Sequence, residues 1–287
     1  MAAPIIVVGA PRSGTNMLRD LLTAVPGFGT WPCDEINPIW RHGNTDHPSD
    51  ELAPEHARPE VVRSIRGRFE RLACRRGFEL VVEKTCATSL RVPFVDRVLP
   101  EARYVFITRD GYDAAASAQK RWHAKAEIGY LLAKARFVPP GDLPRYARRF
   151  LANRWHKLTV GEGRLASWGP TLEGMQDLLA AHPIDEVCAL QWRACVERSL
   201  DAFDDIDEGR VLRLRYEEVV ADPAAALEAL CRFSGVAVPD LSGHPAYAGI
   251  TAASVGKGRA ALGEDAMKRL GPLVEPTMER LGHPGSA

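Results

Sequence analysis

Four apolar runs punctuate the chain, and helical periodicity fills the stretches between them. Ile5–Gly9 (IIVVG), Glu79–Glu83 (ELVVE) and Arg103–Thr108 (RYVFIT) are nearly continuous hydrophobic blocks, the pattern of strands buried on both faces. Arg210–Arg215 (RVLRLR) alternates basic and apolar residues, as an edge or half-exposed strand does. Apolar spacing predicts helices over Asn16–Val25, Pro59–Arg75, Leu90–Val98, Asp110–Arg121, Ile184–Phe203, Pro223–Ser234 and Glu264–Leu281. Repeated strand–helix–strand order implies an α/β fold, a parallel β-sheet flanked by helices on both faces.

Two segments break that alternation. Asn37–Arg58 is rich in Pro, His, Asn and Asp and reads as loop. Ala124–Ala181, with RFVPPGDLPRYARRF and SWGPTLEG, reads as a largely helical and irregular insertion that could cover a site. The whole is expected to be a single domain over residues 1–287.

Composition narrows the classes. Lysine plus arginine equals aspartate plus glutamate at 37 each, which argues against bulk binding of nucleic acid or anionic membrane. The six cysteines (Cys33, Cys74, Cys86, Cys188, Cys195, Cys231) form no CxxC pair and no metal-ligand spacing. No apolar stretch approaches the ~20 residues of a membrane helix, and the N-terminus lacks a basic n-region. The expectation is a cytoplasmic protein with reduced thiols and no metal.

The candidate chemistry begins at GAPRSGTN. Gly9 and Gly14 stand at Walker A spacing, but Thr15 and Asn16 occupy the positions of the Walker Lys and Ser/Thr. A strand entering a glycine turn that opens a helix still presents unpaired amides and a positive dipole end to an anion. Arg12 adds a permanent charge, and Thr15 and Asn16 add side-chain donors. The fold is thus P-loop-like, while the ATP- and magnesium-dependent chemistry of kinases lacks its two signature residues.

Three further pieces carry charge. Lys84 ends a predicted strand, where an open α/β sheet places its ligands; a solvated lysine and one reaching the loop's anion fit it equally. Arg109 ends the next strand, and Ser117 and Arg121 share one face of the following helix. Together they could clamp a second phosphate or be scattered surface charge. Ser254, Lys257 and Arg259 lie in the glycine-rich ITAASVGKGRAAL, which reads either as a flexible segment able to close over a ligand or as a plain basic loop.

In this order and spacing the four pieces resemble the sulfotransferases that use 3′-phosphoadenylyl sulfate (PAPS), the tyrosylprotein sulfotransferases and related bacterial enzymes most of all. GAPRSGTNMLRDLL is similar to their 5′-phosphosulfate loop, and EKTCATSLRVPFVDRVLPEARYVFITRDGYDAAASAQKR to their catalytic-lysine and 3′-phosphate segment. RLRYEEVVADP is similar to the stretch whose tyrosine, here Tyr216, contacts the nucleotide. The resemblance implies that Arg12, Ser13, Gly14, Thr15 and Asn16 hold the phosphosulfate, and that Arg109, Ser117 and Arg121 hold the 3′-phosphate. It implies that Lys84 assists the leaving group, that Ser254 helps at the same centre, and that Lys257 and Arg259 lie on the 3′-phosphate side. It also implies a glutamate base after the loop helix. WPCDEINPIW, displaced by about two residues, offers Glu35 as that base and Asp34 as the alternative. The small-molecule sulfotransferases place a histidine two residues after this lysine; here that position is Cys86. The acceptor, a small molecule, carbohydrate or peptide tyrosine, stays open, as does a homodimer; a kinase-like phosphotransferase and a non-catalytic nucleotide-binding protein are the competing readings.

Overall fold

A computed structural model describes residues 2–122, 138, 140–142 and 168–282. Its sheet has five parallel strands in the order β2-β3-β1-β4-β5. The strands are β1 (Ile5–Val8), β2 (Phe28–Gly29), β3 (Leu80–Lys84), β4 (Arg103–Thr108) and β5 (Val211–Arg215). The four predicted strands are present to within a residue at each end. The alternating RVLRLR run is an edge strand, half-exposed as its pattern requires. The two-residue β2, on the opposite edge, was not anticipated.

Side-chain alternation builds two cores. Ile5, Val7, Val82, Val105 and Ile107 face one side, packed by helices α1 (Thr15–Thr23), α8 (Tyr216–Ala221) and α9 (Pro223–Ser234). Ile6, Val8, Val81, Tyr104 and Phe106 face the other, covered by α3 (Pro59–Arg76), α4 (Val92–Val98), α5 (Gly111–Trp122), α7 (Ile184–Phe203) and α12 (Glu264–Arg280). This is the two-sided α/β sheet that the hydrophobic pattern predicts.

Helix ends follow local chemistry. Asp222 caps α9 by accepting from the Ala225 amide at 3.0 Å, Pro223 opens the helix, and Gly235 closes it at φ +76°. The predicted 37–58 loop contains one turn of helix, α2 (Asn37–Trp40), and a 3-10 turn at Pro54–His56. A 3-10 turn, Cys86–Leu90, precedes α4, so the helix begins later than its apolar spacing suggested. The predicted 124–181 insertion lies mostly outside the described residues; within them it ends in α6 (Met175–Ala181).

Because all five strands run the same way, their carboxyl ends share one edge. The register sets Val7 beside Lys84, Val8 beside Phe106 and Thr108 beside Arg215. The loop after β1, Lys84, Arg109 and Tyr216 are thereby delivered to one rim.

Candidate active site

The glycine loop is shaped by close contacts. A Cβ on Gly9 would lie 2.6 Å from the Ile107 carbonyl oxygen, and one on Gly14 would lie 2.6 Å from Cδ2 of Tyr216. Gly14 also sits at φ +91°, so any side chain there would meet both strain and the tyrosine ring. Arg12 adopts φ +68° without being glycine. Its Nε donates to Ser117 Oγ at 3.0 Å, joining the loop to α5.

Arginines gather around that bond. Arg109 donates to the Arg12 carbonyl at 3.0 Å and to the Ser254 carbonyl at 2.7 Å, and its guanidinium stacks 4.3 Å from the Tyr216 ring centroid. The Tyr216 hydroxyl shares a 2.6 Å hydrogen bond with Ser254 Oγ. Partial burial, and then the like charges of Arg121 and Arg109, pull the Arg12 guanidinium below its ordinary pKa. Three positive side chains held this close favour an anion between them.

A second cluster lies at the end of β3. The Lys84 ammonium, its side chain 1% exposed, donates to Asp34 Oδ1 at 3.1 Å and to Glu35 Oε1 at 3.2 Å. Burial pulls its pKa down, but the surrounding Cys86, Glu35 and Asp34 outweigh that and hold it above the usual lysine value. Glu35 Oε1 also accepts from the Cys86 amide at 3.2 Å. Burial would raise the Asp34 carboxyl, but Lys84 and Arg19 together hold it below the ordinary aspartate value. Burial and the Glu35 charge push the Cys86 thiol up to about 12, so it is no nucleophile at neutral pH. The Cys86 sulfur lies 3.6 Å from Thr15 Oγ1, which ties this cluster to the loop.

The structure therefore brings together Arg12, Gly14, Arg109, Ser117, Tyr216 and Ser254, with Arg121 near Arg12. Through Thr15 it attaches Lys84, Glu35 and Asp34. Ser13, within the loop, is fully buried, and Asn16 and Lys257 are exposed. Arg259 is engaged elsewhere: it pairs with Asp110 at 3.0 Å and stacks on Tyr112. After the one-turn helix α10 (Pro245–Ala248), the segment expected to be a flexible loop holds a 3-10 turn at Ala252–Ser254 and a short helix, α11 (Lys257–Ala261). Asp113 anchors it by accepting from the Gly256 and Gly258 amides at 2.7 and 2.6 Å.

Two participants escaped the sequence reading. Arg19 of α1 donates to Asp34 Oδ1 at 2.8 Å; on an amphipathic helix it looked like any solvated arginine. Asp113 stands four residues after Arg109, 3.5 Å from its guanidinium, a spacing that could have flagged it. Trp31, Trp40 and Trp122 are core residues, and Trp168 is partly buried against the same core. Trp155 lies outside the described residues. Among the described residues, no cluster of His, Cys, Asp or Glu could hold a metal ion, and no helix is long and apolar enough to cross a membrane.

No curated protein matches the chain. Solved structures share its fold. A sulfotransferase domain from the curacin biosynthetic pathway aligns at TM-score 0.56 with 14% identity, covering 99% of each chain. The sulfotransferase domain of the Synechococcus PCC 7002 olefin synthase aligns at 0.54 with 15% identity, covering 99% of this chain and 97% of that one. Sulfotransferase STF9 from Mycobacterium avium aligns at 0.53 with 15% identity, covering 97% and 76%. The sulfotransferase family model matches residues 4–167 and 164–240, which takes in the glycine loop, Lys84, Arg109 and Tyr216. On that match the chain belongs to the sulfotransferase family.

Proposed function

We propose that the chain transfers a sulfuryl group from PAPS to a hydroxyl or amine acceptor, releasing adenosine 3′,5′-bisphosphate. The observation that carries this reading is the convergence, on one sheet edge, of an arginine cluster and a lysine–carboxylate cluster joined through the glycine loop. A donor phosphorylated at both the 3′ and 5′ positions suits the two. The loop amides with Arg12, Ser13, Gly14, Thr15 and Asn16 take the phosphosulfate. Arg109, Ser117 and Arg121 take the 3′-phosphate, Tyr216 packs against the nucleotide, and Lys257 and Arg259 border the same side.

In the reaction Glu35 accepts the proton of the acceptor as its oxygen or nitrogen bonds to sulfur. The sulfur–oxygen bond to the 5′-phosphate breaks, and its electron pair stays on the bridging oxygen. Lys84 donates a hydrogen bond to that oxygen, with Arg12 and Ser254 beside it. Positioning and electrostatics supply most of the catalysis, as in phosphoryl transfer. Glu35, held by one cation and a neutral amide, suits the base role better than Asp34, held by two cations, Lys84 and Arg19. The acceptor belongs to the phenols, carbohydrates or peptide tyrosines, and the six free thiols suit a cytoplasmic setting.

Two measurements test the assignment. Adenosine 3′,5′-bisphosphate without Mg²⁺ should raise the melting temperature, and labelled PAPS should transfer its sulfuryl group to a phenol such as 2-naphthol or, in its absence, to water. A response to ATP with Mg²⁺ alone points instead to a kinase. Arg109→Ala should weaken the bisphosphate Kd by about 10-fold or more, the loss of one charge-assisted contact. An unchanged Kd removes Arg109 from the 3′-phosphate site.

A further inference from the structure

β3 presents different chemistry on its two faces. Lys84 and Cys86 point toward the glycine loop, while Val81, Glu83 and Thr85 lie on the other face by the strand's two-residue repeat. Glu83 is 1% exposed and Thr85 is fully buried. A carboxyl in a strand core is costly unless it is hydrogen-bonded. Here Thr85 Oγ1 donates to Glu83 Oε1 at 2.6 Å. The same hydroxyl oxygen accepts from the Ile36 amide at 3.2 Å. That amide belongs to the peptide joining Glu35 to Ile36, so the chain of bonds runs from a buried acid to the backbone of the base.

We propose that Thr85, oriented by Glu83, is a positioning residue that holds the Glu35 peptide so that the Glu35 carboxylate meets Lys84 and the Cys86 amide. The inference rests on Glu35 being the base. With its proton donated to Glu83, the Thr85 hydroxyl has only a lone pair to offer, and the Ile36 N–H is the group that takes it. Burial pushes the Glu83 carboxyl up to about 7, with the Thr85 hydrogen bond opposing. Asn37, one residue further on, is fixed separately: Arg91 donates to its Oδ1 at 2.6 Å, and its own Nδ2 donates to Asp50 at 3.1 Å. The Thr85 bond holds the N–H side of the peptide that carries Glu35, whose carbonyl oxygen also accepts from Cys33 Sγ at 3.8 Å.

Thr85→Val keeps the shape and removes the hydroxyl. It should lower kcat for transfer from PAPS to 2-naphthol, or to water, by roughly 10-fold, as small misplacements of a reacting group do. The Kd for adenosine 3′,5′-bisphosphate should stay within about twofold, and Thr85→Ser should restore kcat. The decisive measurement is coupling: in a Glu35→Gln background, Thr85→Val should have no further effect on residual turnover, because the residue it positions is gone. A Thr85→Val enzyme with unchanged kcat overturns the proposal, and so does one whose kcat and Kd worsen together. Equal effects in the two backgrounds overturn it too. Should Thr85→Val fail to fold, Thr85→Ala in both backgrounds gives the same reading. If Glu35→Gln itself leaves turnover intact, the assignment of the base has failed, which is a different result.

Discussion

Lys84→Ala is expected to lower kcat by roughly 10²–10³-fold while leaving the Kd for adenosine 3′,5′-bisphosphate largely intact, the scale of losing one donor to a developing oxyanion. The lysine is the last residue of β3, whose register with β1 sets it beside Val7, two residues before Gly9. Two carboxylates within 3.2 Å keep it protonated and able to donate. The variant also leaves Asp34 and Glu35 facing each other without their shared cation, so its melting temperature should fall. Calorimetric titration with the bisphosphate and single-turnover transfer from PAPS separate the two effects. Normal turnover in a folded variant removes Lys84 from the leaving-group role.

Glu35→Gln is expected to remove nearly all base-dependent turnover, with the rise of kcat toward higher pH flattened in whatever activity is left. The amide oxygen can still accept from Lys84 and from the Cys86 backbone, so the local geometry is retained and the lost quantity is basicity. Asp34→Asn should cost much less, because Asp34 works as a counter-charge between Lys84 and Arg19. If the aspartate variant loses turnover and the glutamate variant keeps it, the two carboxylates exchange roles.

Much of this was legible in the chain. The helices Ile184–Phe203 and Pro223–Ser234 have the predicted bounds, since each is opened by a proline and driven by apolar periodicity. The glycine loop could be read because backbone geometry demands glycine at fixed positions. What stayed hidden depends on contacts distant in sequence. β2 is two residues long and exists only by pairing with β3, so no periodicity can betray it. The helix at Lys257–Ala261 is held by Asp113, 143 and 145 positions away from the amides it binds, and its own sequence looks like plain loop. Arg19 and Thr85 carry no local signature, since one resembles a solvated helix charge and the other a strand hydroxyl.

The left-handed backbone at Arg12 bears on how such a loop could be engineered. An L-residue held there costs roughly 1–2 kcal/mol relative to glycine in steric strain, partly offset by glycine's greater freedom when unfolded. A designer optimising thermal stability alone would therefore write glycine at position 12 and obtain an equally stable or slightly tougher protein. That protein would have surrendered the guanidinium that reaches Ser117 and with it, on the proposed function, part of its grip on the donor. Stability screens of this scaffold should accordingly be expected to trade against turnover at this one position.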